Sequence, residues 1–71
     1  MNTSFINSVW RYIDNHPDCY LFEICHGLFR DGYGLAERKQ VGCAISYLIR
    51  DNRVSKHKAR KPYYRTTGVT A

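Results

Sequence analysis

The sequence has no long hydrophobic run and few cysteines, and these absences exclude several classes of protein. No apolar segment approaches the roughly 18 residues that a membrane-spanning helix needs. The N-terminus, MNTSFINS, lacks the basic stretch and apolar segment of a signal peptide. The three cysteines, an odd number without regular spacing, do not fit a disulfide framework. We therefore expect a cytoplasmic protein that makes no use of a membrane.

Motifs for catalysis and metal binding are also missing. The sequence contains no glycine-rich phosphate loop, no HExxH motif and no close Ser–His–Asp order. Five candidate metal ligands lack the paired spacing of a structural zinc site: His16, Cys19, Cys25, His26 and His57. A chain of 71 residues also leaves little room for a metabolite pocket. The sequence predicts that the protein is not an enzyme and uses no metal, cofactor or small-molecule substrate.

The composition is sufficient for one small folded domain. Hydrophobic residues make up 44% of the chain and aromatic residues 14%, which argues against disorder. The length lies near the lower limit for a chain that folds without disulfides or metals. We predict a single domain over residues 1–71, with residues 68–71 as a disordered tail.

Positive charge is concentrated towards the C-terminus. The net charge of the chain is +5. Between Arg50 and Arg65 there are seven cations and one anion, Asp51, so this stretch carries +6 and the remaining residues together carry −1. Such an asymmetric distribution is typical of proteins that bind a polyanion.

Hydrophobic periodicity predicts three helices. Apolar residues recur at spacings of three and four over Ser4–Asn15, about Phe22–Phe29 and residues 36–51. In the third helix they form one stripe, and polar or small residues occupy the opposite side: Lys39, Gln40, Cys43, Ser46, Tyr47 and Arg50. Asn52 is suited to the left-handed conformation that ends a helix.

Two strands, Val54–Lys58 and Tyr63–Thr67, are predicted to form a hairpin after the third helix, and Cys19–Leu21 can supply one more short strand. Three short helices cannot bury their apolar faces alone, so the hairpin must pack against them in an α+β fold. Because side chains alternate along a strand, Tyr63 and Tyr64 face opposite ways. We expect the outward ring to pack on an aliphatic neighbour, with base stacking as the alternative.

This pattern resembles the winged helix-turn-helix domain of bacterial and phage regulators. The resemblance runs from Phe5 to Thr67. Its helical features are a first helix that ends in Asn15–His16–Pro17, an apolar second helix, and the apolar residues Val41–Ala44–Ile45–Leu48 in the third. Its hairpin begins after Arg50–Asp51–Asn52–Arg53–Val54 and ends with Tyr63–Tyr64–Arg65–Thr66. It implies a three-helix bundle with a C-terminal β-hairpin wing. It further implies that the third helix enters the major groove of DNA, that the wing follows the backbone, and that the protein regulates transcription.

Two groups of residues are predicted to contact double-stranded DNA. On the third helix, Lys39 and Gln40 are suited to guanine and adenine edges, Arg38 and Tyr47 to phosphates, and Cys43 is small enough for close approach. The cations of the hairpin would neutralise phosphates and release counterions: Lys56, Lys58, Arg60, Lys61 and Arg65.

Several alternatives remain open from the sequence alone. The broad apolar arc of the first helix, with Trp10 and Tyr12, could dock a protein partner or form a homodimer. RNA is a further candidate, because a basic hairpin does not distinguish A-form from B-form backbones. Lysines on a hairpin can also serve only to block aggregation of an exposed strand edge. A steep salt dependence of binding separates the nucleic-acid hypotheses from the others.

Overall fold

A computed structural model describes residues 3–68 as an α+β domain with three helices and a three-stranded antiparallel sheet. The elements are, in chain order, α1 (Thr3–Asn15), β1 (Cys19–Tyr20), α2 (Leu21–Leu28), α3 (Leu35–Arg50), β2 (Val54–His57) and β3 (Tyr63–Thr66). Apart from Gly68, the predicted tail at 68–71 lies outside the described residues. Within residues 3–68, every helix is too short or too polar to span a bilayer.

The core lies where the three helices meet the inner face of the sheet. The stripe predicted for α3 is confirmed, since Val41, Ala44, Ile45 and Leu48 are buried and Ile49 is partly buried. The other helices and strands contribute the remaining buried residues, which are small and medium apolar side chains and one tyrosine: Val9, Ile13, Cys19, Ile24, Cys25, Val54 and Tyr64. Burial of these faces from water is the main force that assembles the domain.

Glutamates cap α2 and α3 and shift both helices by one residue from their predicted bounds. The Glu23 carboxylate accepts the backbone N–H of Tyr20 at 3.0 Å, so α2 begins at Leu21 rather than Phe22. Glu37 accepts the N–H of Gly34 in the same way at 3.0 Å, and α3 begins at Leu35 rather than residue 36. In each helix a glutamate at the third position thereby accepts a backbone N–H that has no partner within the helix.

The end of α3 directs the chain into the hairpin. Asn52 has a φ of 60°, which confirms the predicted left-handed stop, although the helix ends at Arg50 and not at residue 51. Its N–H donates to the Ile49 carbonyl at 3.0 Å, and the Arg53 N–H donates to the Leu48 carbonyl at 2.9 Å. These bonds reverse the chain directly against the last turn of α3, where β2 begins.

Strand β3 occupies the middle of the sheet, in the order β1-β3-β2. The predicted hairpin and the third short strand are both present, with β2 and β3 each one residue shorter than expected. Tyr64 pairs with Cys19 on one side and Lys56 on the other, and its ring packs into the core. The Thr66 hydroxyl donates to the Asp14 carboxylate at 3.1 Å, which ties the hairpin to α1.

Two helical glycines offer a matched test of this packing. A Cβ on Gly42 of α3 would meet open space, whereas a Cβ on Gly27 of α2 would overlap the ring of Tyr12. We expect Gly42→Ala to raise the free energy of unfolding by about 0.5–1 kcal/mol, the usual helix-propensity gain. Gly27→Ala should lower it by roughly 1–2 kcal/mol, because the Tyr12 ring must leave its site. Urea unfolding of both variants measures the difference, and equal effects would contradict the packing of Tyr12 on α2.

Burial in the core also predicts a loss of stability at alkaline pH. Burial raises the pKa of the Cys19 thiol from its ordinary value of 9.0 to about 11, and it raises the pKa values of Cys25, Tyr12 and Tyr64. Since the native state keeps protons that the unfolded chain has lost, the free energy of unfolding must fall as the pH rises above 9. Cys19 alone contributes up to about 2–3 kcal/mol of this fall.

Urea unfolding from neutral pH to about pH 10.5 measures this decline. Cys19→Ala should make the free energy of unfolding fall less steeply between pH 9 and 10. Cys43→Ala, which removes the exposed cysteine, should leave the steepness of that fall unchanged. A free energy of unfolding that stays constant above pH 9 in the unmodified protein would be inconsistent with neutral, buried thiol and phenol groups.

Candidate nucleic-acid interface

The outer side of α3 presents a continuous polar stripe. All six residues that the sequence placed opposite the core stripe are exposed: Lys39, Gln40, Cys43, Ser46, Tyr47 and Arg50. At 1.5 Å rise per residue, the exposed side from Ala36 to Arg50 extends for about 21 Å. The helix's one carboxylate, Glu37, is held at its N-terminus by the Gly34 N–H. The stripe is therefore a cationic and neutral surface without a projecting anion.

The stripe also contains one accessible aromatic ring, that of Tyr47, and one accessible thiol, that of Cys43. The Tyr47 ring is 43% exposed, and the guanidinium carbon of Arg50 lies 6.0 Å from its centroid. This contact holds a cation beside the phenol, one turn from the exposed thiol of Cys43. Tyr47 can therefore donate its hydroxyl to a phosphate that Arg50 also attracts.

The hairpin carries most of the exposed positive charge that lies outside α3. Lys56, Lys58, Arg60 and Lys61 are all exposed, as a solvent-facing basic surface requires. Arg65 differs, because its guanidinium forms a salt bridge to the Asp18 carboxylate, with Nη2 to Oδ1 at 2.7 Å. Arg65 is exposed as predicted, but its charge is partly neutralised by Asp18.

Arg53 points inward, although it belongs to the same basic stretch of sequence. Its guanidinium carbon lies 5.2 Å from the centroid of the Trp10 ring, and Nη1 donates to the Asn7 side chain at 3.4 Å. Arg53 thus fastens the start of the hairpin to α1. Two of the seven cations counted in the sequence, Arg53 and Arg65, are thus engaged within the fold. The remaining positive charge is concentrated on the hairpin and along α3.

The aromatic residues of α1 are engaged within the domain. Trp10 and Tyr12 are partly buried and pack against the core. Tyr12 also stacks on His16, with centroids 4.1 Å apart. These two residues, which the sequence suggested for a protein partner, are exposed to a smaller fraction than Phe22, Leu35 and Tyr47, the exposed large hydrophobic residues of the described chain.

A cleft joins the beginning of α3 to the hairpin turn. It has a volume of about 300 Å³ and is lined by Tyr20, Leu21, Phe22, Arg38, Lys61, Pro62 and Tyr64. The Lys61 ammonium lies 6.0 Å from the Tyr20 ring centroid and 5.6 Å from that of Phe22. Arg38 and Lys61, both predicted to contact phosphate, therefore border one site despite their distance in the sequence.

Sequence reasoning missed Tyr20 and Phe22 as functional candidates. The sequence pattern assigns Phe22 only to a helix and Tyr20 only to a short strand. The one available signal is that aromatic residues, Tyr20 and Phe22, flank Leu21, the first residue of α2. Side chains at these two positions point in different directions, so at least one ring must face away from the core.

The outward tyrosine of the hairpin packs differently from the prediction. Tyr63 stacks on the imidazole of His57, with centroids 5.1 Å apart and planes 10° apart, whereas an aliphatic partner was expected. The two residues are direct partners across β2 and β3. His57 also shares a hydrogen bond of 2.9 Å with the Ser55 hydroxyl, so the ring is held in place from two sides.

Potential metal ligands are dispersed over the domain. Among residues 3–68, no group of three or more histidine, cysteine, aspartate or glutamate side chains is arranged to hold a metal ion. All three cysteines are free thiols, with Cys19 and Cys25 buried and Cys43 exposed. The structure thus offers basic, aromatic and thiol groups for function.

No protein-family model, curated protein or solved structure matches this chain.

The exposed thiol of Cys43 provides a direct test of whether the α3 stripe is an interface. In the native protein a maleimide should modify Cys43 while the buried Cys19 and Cys25 react only on unfolding. Added duplex DNA should slow the Cys43 reaction in proportion to the fraction of protein bound. Mass spectrometry of the modified peptides measures each rate. Unchanged reactivity of Cys43 at saturating duplex would exclude α3 from the contact surface.

Proposed function

We propose that this protein is a winged-helix protein that binds double-stranded DNA and acts as a small transcription regulator of the bacterial or phage kind. The observation that carries the proposal is the shared cleft between Arg38 and Lys61. It shows that the first turns of α3 and the tip of the hairpin are neighbours. Cations from two separate segments therefore form one basic surface, as a polyanion requires.

The arrangement of elements supports the winged-helix layout. Three helices precede a C-terminal hairpin, and β1, between α1 and α2, completes the sheet in the order β1-β3-β2. In that layout α3 is the recognition helix and the loop between β2 and β3 is the wing. The exposed stripe of α3 has the length and the freedom from projecting carboxylates that insertion into a major groove needs.

Base contacts and phosphate contacts are assigned to different parts of this surface. Lys39 and Gln40, near the beginning of α3, would donate to guanine and pair with adenine. Arg38 and Tyr47 flank them and would hold the backbone. The wing residues Lys58 and Arg60 would add affinity that does not depend on base sequence.

B-form DNA fits this surface better than double-stranded RNA. The major groove of B-DNA is about 12 Å wide and admits a helix, whereas that of A-form RNA is too deep and narrow for side chains to reach the bases. Lys39 and Gln40 lie on the face of a helix rather than on a flat sheet. Competition between DNA and RNA duplexes of matched sequence would distinguish the two ligands.

The wing is tested by comparing two double variants that remove equal charge. Lys58→Gln with Arg60→Gln removes two cations at the hairpin turn, and Arg11→Gln with Arg30→Gln removes two that lie outside α3 and the hairpin. The wing variant should bind every duplex sequence more weakly. The slope of log K against log salt should become less steep by about two, since each lost phosphate contact contributes about one.

Fluorescence anisotropy with a labelled duplex, repeated over a range of salt concentrations, gives both quantities. The control variant should keep nearly the full slope, because its cations act only through the screened field of the whole protein. Equal slopes for the two double variants would exclude the wing as a phosphate-binding element. A slope near zero for the unmodified protein would exclude DNA binding of this kind altogether.

A further inference from the structure

We propose that the cleft between α2, α3 and the hairpin binds one unpaired nucleotide of the bound nucleic-acid strand, with its base on Tyr20 and Phe22 and its phosphate between Arg38 and Lys61. This inference rests on the proposed function and deepens it, because it names a feature of the ligand that the α3 stripe alone does not select. Three features of the cleft support the inference: its aromatic wall, its cations without a carboxylate in the lining, and its volume.

The aromatic wall is formed by two nearly parallel rings. The Tyr20 and Phe22 centroids lie 5.8 Å apart, with their planes 13° apart. Phe22 is 46% exposed although it is apolar, and the His26 ring contacts it edge-on at 6.5 Å. Packing thus supports one side of Phe22, while much of its surface stays open to solvent. An exposed, supported ring of this kind is a platform on which a planar base can stack.

The charge of the cleft selects an anionic ligand. Lys61 lies over both rings, and Arg38 lines the same space from α3. Two carboxylates adjoin lining residues along the chain, Glu23 and Glu37, and each caps a helix by accepting a backbone N–H, from Tyr20 and Gly34 respectively. The cations are thus not neutralised by a carboxylate that lines the cleft. Aromatic surface together with free cations matches a base joined to a phosphate.

The volume and position of the cleft favour a nucleotide within a strand. About 300 Å³ is at the small end of ligand sites, enough for one base with part of its backbone. The cleft is continuous with the beginning of α3 and the tip of the wing, the two elements proposed to hold DNA. A strand bound there would pass the opening of the cleft. A base within the duplex has both faces covered by its neighbours, so only an unpaired base can stack on Phe22.

The experiment compares four probes by fluorescence anisotropy and titration: a fully paired duplex, the same duplex with one unpaired adenine, a single-stranded oligonucleotide, and adenosine monophosphate. The unmodified protein should bind the duplex with the unpaired adenine about 10-fold more tightly than the paired one, as expected for one base stacked on an aromatic ring. With 2-aminopurine at the unpaired position, binding should quench its fluorescence because the base stacks on Phe22.

Two variants and one control assign the effect to the cleft. Phe22→Ala should abolish both the preference and the quenching, and Phe22→Trp should retain both. Leu35→Ala removes a large apolar side chain that is 65% exposed but does not line the cleft, so the preference should remain. Because Phe22 and Leu35 both lie at the surface and outside the buried core, all three variants should keep the fold. Circular dichroism and thermal melting verify this.

The possible results separate this inference from the proposed function. Equal binding of the paired duplex and the duplex with an unpaired adenine would overturn the inference while the proposed function stands. Preference and quenching that persist in Phe22→Ala would also overturn it. Adenosine monophosphate bound as tightly as the unpaired-adenine duplex would indicate a free-nucleotide site instead. Phe22-dependent binding of a single-stranded oligonucleotide, without binding of the paired duplex, would support the inference and overturn the proposed function.

Discussion

The burial of Val54 and Tyr64 against the helices is the interaction on which the rest of the structure depends. These side chains belong to the two strands of the hairpin, and both are almost completely removed from water. A domain of this size has little apolar surface in reserve, so the hairpin is needed to cover the helices. The same burial places the hairpin turn beside the first turns of α3. The stability of the fold and the geometry of the proposed interface therefore have one physical cause.

The cations at the hairpin turn have a different energetic role. Lys58, Arg60 and Lys61 are exposed and lie close together in the chain, so they repel one another at low ionic strength. A fold gains nothing from this repulsion, which a bound polyanion would relieve. By contrast, Arg53 and Arg65 are held by Trp10 and Asp18. The structure thus separates arginines that support the domain from exposed cations at the hairpin turn, of which Lys61 also lies over the Tyr20 and Phe22 rings.

The extent to which the sequence anticipated the structure differs between the helices and the cleft. The core stripe of α3, the stop at Asn52 and the hairpin follow from periodicity and turn chemistry, which act over a few residues. The beginnings of α2 and α3 are each displaced by one residue, because the hydrogen bonds of Glu23 to Tyr20 and of Glu37 to Gly34 are side-chain geometries that periodicity does not contain. Exposure of Lys39, Gln40 and Cys43 followed directly from their position opposite the buried stripe.

The sequence by itself determined the number of helices, the side of α3 that is exposed and the concentration of charge near the C-terminus. All three depend on residues that are close together in the chain. Only the tertiary structure decided that Arg53 turns inward onto Trp10, and that Phe22, Arg38 and Lys61 line one cleft. The members of each group are separated by more than a dozen residues. Their approach is set by how the helices and the sheet pack around a shared core, which a local pattern in the sequence does not specify.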